Sequence, residues 1–341
     1  MALQSSGPIS LNDIATEFGG STPHSLSEYY GSGGAPASGP LSIGDFYGLS
    51  ASFTFRILAV AAGGSGGGGN ANSGGGGGAG GHVEDFTVSN AQVGNTLNIS
   101  TSNGRVDFRV TNSYGWTYSG LRSSSGPNDQ GDGTSLINVY RGANGGWEFG
   151  GGPGGGAGGG YVLSGPGSPY VTAPSSRTWG GDGGSAIFYY GGGGGGANGN
   201  GGSASGSTPG NGGSGTVSNI TGSNVTYGGG GGGANGNGGS GGSGGSGGGG
   251  NGGSAIYPAI LYSQPTAGTD GLGGGGGGAP RGAGFPQNGG TGVVYIRLPN
   301  QAASYTTSNA TETTVGGEYL YKFIMGDPTS SSGNRSWTLT F

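Results

Sequence analysis

The chain offers few side chains that could carry out catalysis or hold a metal ion. It has no cysteine and two histidines, His24 and His82, which lie far apart without Glu or Cys at a spacing typical of metal ligands. Both are predicted to lie at the surface or to cap a turn. Asp129 and Asp132 would suit a calcium loop, but the alternating ligands and the distal Glu are missing. We therefore expect a polar turn there and no metal site.

Motifs for nucleotide binding and covalent catalysis also give no support to an enzyme. The pattern G-x-G-x-x-G occurs in many places, as expected by chance in a chain with 98 glycines, and no helix is predicted beside it. A P-loop needs Lys followed by Ser or Thr, whereas the single lysine, Lys322, precedes Phe323. No nucleophile elbow is found, and the 15 acidic residues are scattered. The chain is expected not to be an enzyme and to need no cofactor.

Charge and hydropathy exclude other classes of partner. The net charge is −5, and nine arginines are scattered rather than clustered, so a nucleic acid partner is not expected. The first ten residues lack the basic and apolar regions of a secretory signal, and no apolar run approaches the length of a membrane span. Synthesis in a cytoplasm is the expectation.

Aromatic residues at breaks in the glycine pattern are the remaining candidates for a binding function. Tyr and Trp combine a broad apolar face with a polar tip, which suits recognition. Binding is expected mainly in the loops 161–179 and 255–270. The candidate receptor-binding residues are Trp116, Tyr118, Tyr170, Trp179, Tyr257 and Tyr262. An alternative is that aromatics seal the ends of the glycine segments against water, which we expect for Trp147 and Tyr190.

The elements that would position these loops are runs of glycine. Tyr190 and Tyr227 are each followed by the same thirteen residues, GGGGGGANGNGGS, at 191–203 and 228–240. Glycine and proline make up about a third of the chain, a composition typical of disorder. Disordered segments usually carry high net charge, however, and only 7% of these residues are charged.

Glycine segments can instead pack against one another through their backbones. Polyproline II geometry has three residues per turn, a rise of about 3.1 Å and no internal hydrogen bonds, so every buried N–H and C=O needs a partner on a neighbouring segment. We predict such a bundle of polyglycine II helices. Glycine loses about 0.5–1 kcal/mol more than alanine in conformational freedom, so the bundle must form cooperatively. Collagen is not expected, because Ala197, Asn198 and Ser205 break the Gly-X-Y frames.

Three regions are predicted, at 1–50, 51–299 and 300–341. In the first, Ser10, Ser25 and Ser42 are each followed three residues later by an acidic residue, which resembles a capping box and predicts three short helical turns. The residues expected to be buried there are Leu11, Ile14, Phe18, Leu26, Tyr29, Leu41, Phe46 and Tyr47. The region could be a small independent domain, a docking module for a larger assembly, or both.

The strands are predicted to flank the glycine bundle. The apolar segments that follow Ala51 and Gly292 are expected to lie side by side, so that the second region closes where it begins. Residues 83–143 are expected to form a small sheet beside the bundle. The segments 318–326 and 334–341 are expected to pair as a C-terminal β-hairpin across 327–334. The predicted fold is thus mostly irregular and β.

The order of these blocks resembles a known family. The succession ILAVAAGG, GGGGGAGG, a β segment, repeated six-glycine blocks and GGTGVVYIRL resembles the glycine-rich domain of bacteriophage tail proteins. It is similar, more distantly, to the tip adhesins of T-even-like long tail fibres. The resemblance covers about 51–299. It implies polyglycine II blocks at 191–196, 228–233 and 273–278, with loops between them that contact a host receptor and no catalytic residue. GPISLNDIATEFGG and HSLSEYYG are also similar to short modules of phage virion proteins.

The expected function is that of a virion protein of the tail or tail fibre, synthesised in the host cytoplasm. Residues 1–50 would dock to other tail or fibre proteins, and the loops would bind a host surface glycan or an outer-membrane protein. Two alternatives stay open. A structural fibre or decoration protein would need no ligand, and an ice-binding glycine-rich protein would need more regular Thr or Ala ladders. The sequence is compatible with a monomer and with a homo-oligomer.

Overall fold

The computed structural model describes sixteen stretches of the chain. They are residues 3–32, 35–49, 51–69, 74–92, 96–102, 105–111, 117–119, 135–139, 141–145, 180–256, 260–280, 282, 285–299, 304–306, 310–326 and 335–341. Most of these residues lie in strands or in irregular structure, and one α-helix, α1 (Leu11–Phe18), is found among them. The prediction of a mostly β and irregular fold is confirmed at this level.

The N-terminal region contains the three helical turns that its serine pattern predicts. Helix α1 is followed by two 3-10 turns, Leu26–Tyr29 and Ile43–Phe46, and each begins with a complete capping box. The backbone N–H of the serine donates to the acidic side chain, at 2.7 Å between Ser42 N and Asp45 Oδ2. Because each box satisfies donors that the helix end leaves unpaired, these short turns start where the serines stand.

A small apolar cluster holds the three turns together. Ile14, Tyr29 and Phe46 lie at its centre and are almost fully buried. The partly buried residues that pack against them are Leu11, Phe18, Leu26, Leu41 and Leu49. Tyr47, predicted to be buried, is exposed at 39%. Its hydroxyl donates to the carbonyl of Gly7, which holds the ring at the surface of the module.

The strands follow in chain order. They are β1 (Ser52–Val60), β2 (Val83–Gln92), β3 (Thr96–Ser102), β4 (Arg105–Thr111), β5 (Thr117–Ser119), β6 (Ser135–Val139), β7 (Thr216–Ser218), β8 (Val225–Tyr227), β9 (Ser254–Ile256), β10 (Ile260–Ser263), β11 (Val293–Leu298), β12 (Ser304–Thr306), β13 (Ala310–Val315), β14 (Glu318–Ile324) and β15 (Arg335–Thr340). A six-stranded sheet has the order β13-β14-β11-β1-β2-β5, and a five-stranded sheet has the order β12-β15-β3-β4-β6. Two-stranded sheets are formed by β7 with β8 and by β9 with β10.

The two larger sheets share one apolar core. Side chains from both contribute to a single buried cluster, in which the ring centroids of Phe323 and Trp337 lie 5.6 Å apart. Phe55 and Phe341 are similarly close, at 4.9 Å. The sheets therefore pack face to face, with aromatic residues filling much of the space between them.

Strand β1 is buried on both of its faces. Ile57 belongs to the core between the large sheets, whereas Leu58 and Val60 belong to a second cluster that includes Ile220 and Tyr227. A strand covered on both sides carries a continuous apolar run rather than an alternating pattern, which explains the sequence ILAV. Strand β11 pairs antiparallel with β1, so the prediction that these two segments lie side by side is confirmed.

Two predictions about strand pairing are wrong. Strands β14 and β15 do not form a hairpin: β14 pairs with β11 and β13, and β15 pairs with β12 and β3. The hairpin that forms instead joins β13 to β14 through Gly316 and Gly317, which both have positive φ. Residues 83–143 also do not form a separate sheet, because their strands divide between the two large sheets. Strand patterns alone do not distinguish which of several apolar strands will be neighbours.

Between β1 and β11, extended glycine segments bond to one another through backbone groups without forming strands. The segment 228–235 shows the pattern most fully. Its donors reach three neighbours in turn, and the same neighbour recurs at every third residue: Gly229 and Gly232 donate to Gly247 and Gly250. Its carbonyls accept from three further segments by the same rule. The six neighbours are the segments 75–78, 191–197, 210–213, 242–245, 247–253 and 275–278. We call the whole set of segments, from 61 to 292, the glycine lattice.

Backbone contacts leave no room for a side chain at the inner glycine positions of the lattice. A Cβ placed on Gly231 would lie 2.1 Å from the carbonyl oxygen of Gly276. Atoms at that distance overlap, and a backbone carbonyl bonded to its own neighbours cannot move aside. Ala234, by contrast, is fully buried within the same segment. The lattice therefore accommodates a methyl group at this position but not at Gly231.

Polar side chains complete the hydrogen bonding at the perimeter. Asn211 Oδ1 accepts from the N–H of Ser243 at 2.8 Å, and Asn251 Oδ1 accepts from the N–H of Gly244 at 2.8 Å. Thr266 Oγ1 likewise accepts from the N–H of Asn251. These side chains accept from N–H groups of exposed segments, so Asn and Thr complete the hydrogen bonding of the lattice where it meets solvent.

The lattice predicts an unusual sensitivity to a single methyl group. We expect Gly231→Ala to destabilise the protein by about 3 kcal/mol or more, because the added atom overlaps backbone on a fully surrounded segment. Gly202→Ala is the matched control, since that residue is exposed and its Cβ would come no closer than 3.1 Å to any atom. Its cost should stay below about 1 kcal/mol. Thermal denaturation followed by circular dichroism measures both, and equal effects of the two substitutions would contradict the packing described.

Candidate binding surfaces

The glycine lattice has two ends of different character. At one end, Gly228 donates to the carbonyl of Leu272, and the apolar residues beside it pack on the six-stranded sheet. At the other end of the same segment, Asn235 donates to the carbonyl of Gly253. Neighbouring segments run alongside this one, so the turns that join them lie at the same two ends of the lattice. The end remote from the six-stranded sheet is called the distal face.

The distal face includes the described residues of five turns. They are residues 185–190, 204–209, 235–240, 255–256 with 260–264, and 280, 282 and 285–286. None of these described residues is charged. They do include six large apolar side chains that are exposed to solvent, namely Ile187, Phe188, Ile260, Leu261, Tyr262 and Phe285. The most exposed is Phe285, at 84%. Concentrated exposed apolar groups commonly mark an interaction site.

Polar side chains tie the distal turns to one another. The backbone of Asn235 forms β-bridges with Tyr190 and Ser254. Its side-chain amide donates to the carbonyl of Ser240 at 3.0 Å. The amide of Asn237 donates to the hydroxyl of Tyr190 at 3.3 Å. The turns are therefore positioned by hydrogen bonds as well as by the lattice below them, which favours a preformed surface.

The candidate residues predicted from the sequence have different outcomes. Tyr262 lies on β10 in the distal face and is 62% exposed. Tyr118 lies in β5, where its backbone is opposite Val88, so it is not the loop residue that was predicted. Tyr190 is buried next to its glycine block, as expected for a residue that seals the lattice. The calls for Trp116, Tyr170, Trp179, Tyr257 and Trp147 lie outside the described residues.

Sequence reasoning missed most of the exposed apolar residues of this face. Ile187, Phe188, Ile260, Leu261 and Phe285 were not predicted, because the polar tip that marks Trp and Tyr as binding residues is absent from Ile, Leu and Phe. A usable signal was present at 187–190, where IFYY stands between two glycine segments. Lattice segments leave no room between them for a large side chain, so a residue at the apex of the turn that joins them, such as Phe188, lies outside the lattice.

The N-terminal module presents a second candidate surface, built from three similar units. Each unit contains a proline and, two residues after it, a serine. An acidic residue follows three residues after the serine, and the next residue is apolar and buried. The units run from Gly7 to Ala15, from Thr22 to Tyr30 and from Gly39 to Tyr47. The serine and the acidic residue predicted the helical turns, and the proline that precedes them completes the repeat.

Two of the three units are linked to the next one by an equivalent contact. The hydroxyl of Tyr30, at the end of the second unit, donates to the carbonyl of Gly39 at the start of the third. The hydroxyl of Tyr47, at the end of the third, donates to Gly7 at the start of the first. Ala15 occupies the corresponding place in the first unit and has no hydroxyl. The three units are thus similar in sequence, and equivalent contacts join the second to the third and the third to the first. The exposed Ile43 lies on the surface of the module.

Both histidines of the described residues lie close to a polar side chain. His82 was predicted to lie at the surface or to cap a turn, but its side chain is nearly buried, with Nε2 at 2.6 Å from Glu84 Oε1. His24 lies near Tyr29, with its Nδ1 at 3.2 Å from that hydroxyl. Among the described residues, no three His, Cys, Asp or Glu side chains gather as metal ligands. The Asp129 and Asp132 turn lies outside them.

Two arginines attach the β7–β8 hairpin to the six-stranded sheet. The guanidinium of Arg56 donates to both carboxylate oxygens of Asp85, at 2.6 and 2.5 Å, and also to Asn219 Oδ1. Arg297 contacts Glu318 and donates to the carbonyl of Ile220 at 3.3 Å. These contacts are structural, since each guanidinium donates hydrogen bonds to several partners within the chain.

The described helices include none that is long and apolar enough to cross a membrane. The chain matches no family model, and comparisons with curated proteins and with solved structures also give no match.

The capping boxes of the N-terminal module predict a loss of structure in acid. Hydrogen bonds from the Ser10 side chain and backbone lower the pKa of Asp13, and bonds from the Ser42 backbone and side chain lower the pKa of Asp45. A lowered pKa in the folded state contributes stability above the unfolded value of 3.8, and that contribution is lost as the pH falls through the folded pKa.

We therefore expect the amide resonances of Ser10 and Ser42 to shift together below pH 3.8 as the boxes open. The amide shifts, followed by NMR during an acid titration, measure this directly. The Asp13→Asn, Asp45→Asn double variant is the control and should show no such titration. Midpoints at or above the unfolded value would contradict the lowered pKa values.

Proposed function

We propose that this protein is a non-enzymatic adhesin of a bacteriophage virion, carried on the tail or tail fibre. In this proposal the distal face binds the host cell surface, and the N-terminal module attaches the protein to another virion protein. The observation that carries the proposal is the concentration of exposed apolar side chains on turns that a glycine lattice holds rigidly at one end.

The lattice is proposed to be a bundle of polyglycine II helices. The hydrogen-bond partners of segment 228–235 recur at every third residue, which is the periodicity of a helix with three residues per turn. Six neighbours around one segment correspond to hexagonal packing of parallel rods. At about 3.1 Å per residue, seven steps from Gly228 to Asn235 would span about 22 Å. Such a scaffold could carry turns of different sequence without changing itself.

The distal face supports binding better than a purely structural role does. A fibre whose copies only repeat end to end gains nothing from exposing Phe285 and Tyr262 to water. Exposed apolar side chains instead favour association with a partner. The uncharged character of the described turns also argues against a site for nucleic acid. In protein interfaces, a few buried residues near the centre usually contribute most of the binding free energy, and aromatic residues are common among them.

The N-terminal module supports attachment to a trimeric partner. We propose that its three similar units are arranged about an approximate threefold axis, so that one copy presents similar contacts to three identical chains. Strand β1 begins directly after the module, where the N–H of Ala51 donates to Glu17 at 2.9 Å, and it ends where the lattice begins. The module would thus lie beyond one end of β1, and the lattice with its distal face would lie beyond the other end.

Virions with altered distal residues test the adhesive role. We expect Tyr262→Ser and Phe285→Ser, combined, to slow adsorption to permissive cells at least about tenfold, since each residue is a candidate centre of binding energy. Both side chains are exposed, so the melting temperature should not change. Val217→Ser is the matched control, because Val217 is similarly exposed, at 56%, but lies in the β7–β8 hairpin near the six-stranded sheet. Normal adsorption of the distal variant would refute the proposal.

The attachment proposal predicts a stoichiometry. Quantitative mass spectrometry of purified fibres should find one copy of this protein for every three copies of the chain to which it attaches. Ile43→Asp, which places a charge on an exposed apolar position of the third unit, should leave the protein folded and reduce its incorporation. Equal copy numbers of the two proteins would contradict docking on a threefold axis.

A further inference from the structure

We propose that polar side chains on the perimeter of the glycine lattice prevent it from bonding to glycine segments of a second copy of the protein. The inference goes beyond the proposed function and does not depend on it. It begins with the backbone donors of one outer segment.

The segment 240–246 lies at the edge of the lattice. Gly242 and Gly245 donate inward, to carbonyls of the segment that has six neighbours. By the same three-residue rule, the N–H groups of Ser243 and Gly244 point in two other directions, in which no described backbone carbonyl accepts from them. A further glycine segment would extend the lattice by accepting from donors of this kind.

Side chains of adjacent segments occupy these outward donors. Asn211 Oδ1 accepts from the N–H of Ser243, and Asn251 Oδ1 accepts from the N–H of Gly244, both at 2.8 Å. Thr266 Oγ1 accepts in turn from the N–H of Asn251 at 2.7 Å. In each case the acceptor comes from the next segment along the perimeter, so neighbouring outer segments cap one another.

The same arrangement recurs on other sides of the lattice. Asn200 Oδ1 accepts from the N–H of Asp182 at 2.9 Å, and Asn144 Oδ1 accepts from the N–H of Ser65 at 3.0 Å. These pairs are far from the first ones in the sequence. The recurrence therefore reflects a requirement that all edges of the lattice share, and not the geometry of one turn.

The capping side chains also keep other backbones at a distance. Inside the lattice, segments lie so close that a Cβ on Gly231 would overlap a neighbouring carbonyl. Asn211, Asn251 and Thr266 are exposed, so each places atoms in the space through which a further segment would have to approach. The perimeter thus lacks both the open donors and the close access that bonding between glycine segments requires.

The partner that this perimeter excludes is a second copy of the chain. A row of open backbone groups at an edge is a template for pairing with another chain, and natural proteins protect such edges. Another copy carries glycine segments with matching donors and acceptors at every third residue, and no side chain on those segments would oppose pairing. An uncapped edge would therefore bind the same kind of segment that the lattice binds internally.

Removing the two caps from segment 240–246 tests the inference with the full-length protein. The Asn211→Gly, Asn251→Gly double variant should self-associate at concentrations at least about tenfold lower than wild type does, since several backbone hydrogen bonds form between copies. Both residues are exposed, so the variant should keep the circular dichroism spectrum of the wild type. Analytical ultracentrifugation measures the association, and self-association no stronger than that of the wild type would overturn the inference.

The Ser214→Gly, Ser246→Gly double variant is the matched control. Both serines are exposed and lie on segments of the same edge, but the caps of Ser243 and Gly244 come from other residues. This variant should associate no more strongly than wild type. Association as strong as that of the first variant would overturn the inference, because the loss of exposed side chains would then suffice without the loss of a cap.

Amide hydrogen exchange identifies the surface through which copies associate. In the dilute Asn211→Gly, Asn251→Gly variant, the amides of Ser243 and Gly244 should exchange faster than in wild type, and association at higher concentration should protect them again. Association that leaves these two amides unprotected would overturn the inference, since the copies would then meet elsewhere. If the double variant does not fold, Asn251→Gly alone frees the donor of Gly244, and the same two outcomes decide.

Discussion

The structure depends on backbone hydrogen bonds between glycine segments that approach so closely that no β-carbon fits between them. Each such bond contributes little on its own after the loss of water is counted, and each glycine is costly to order. A segment with six neighbours, such as 228–235, gains on all sides at once. The arrangement must therefore form as a whole, and isolated pairs of these segments would not be stable.

Ordinary protein structure encloses this unusual core. The six-stranded sheet joins the start and the end of the lattice, because β1 leads into it and β11 follows it. Strand β1 contacts the core between the large sheets on one face and the β7–β8 hairpin on the other. The arginines Arg56 and Arg297 fasten that hairpin to the sheet. The closely packed backbone is thus anchored where side chains are available, and Asn, Ser and Thr satisfy its perimeter.

Much of this organisation could be predicted from the sequence, and the failures have physical causes. The capping serines and the ILAV run have local signals that act within a few residues, so the helical turns and the central strand pair were predictable. The partners of β14 and β15 are chosen by packing across the whole core, which no local pattern records. The unusual backbone of Phe188 was missed, because a sequence does not show which turn has positive φ when the expected glycine is absent. Tyr262 was found because an aromatic residue stood in a break between glycine segments.

The order of the lattice segments along the chain bears on how the protein is made. Segment 228–235 has neighbours as early as residue 75 and as late as residue 278, so its bonding is incomplete until nearly the whole polypeptide has left the ribosome. Such long sequence separations slow folding. The nascent glycine segments expose almost no apolar side chains, so they do not favour aggregation with other unfinished chains during this delay.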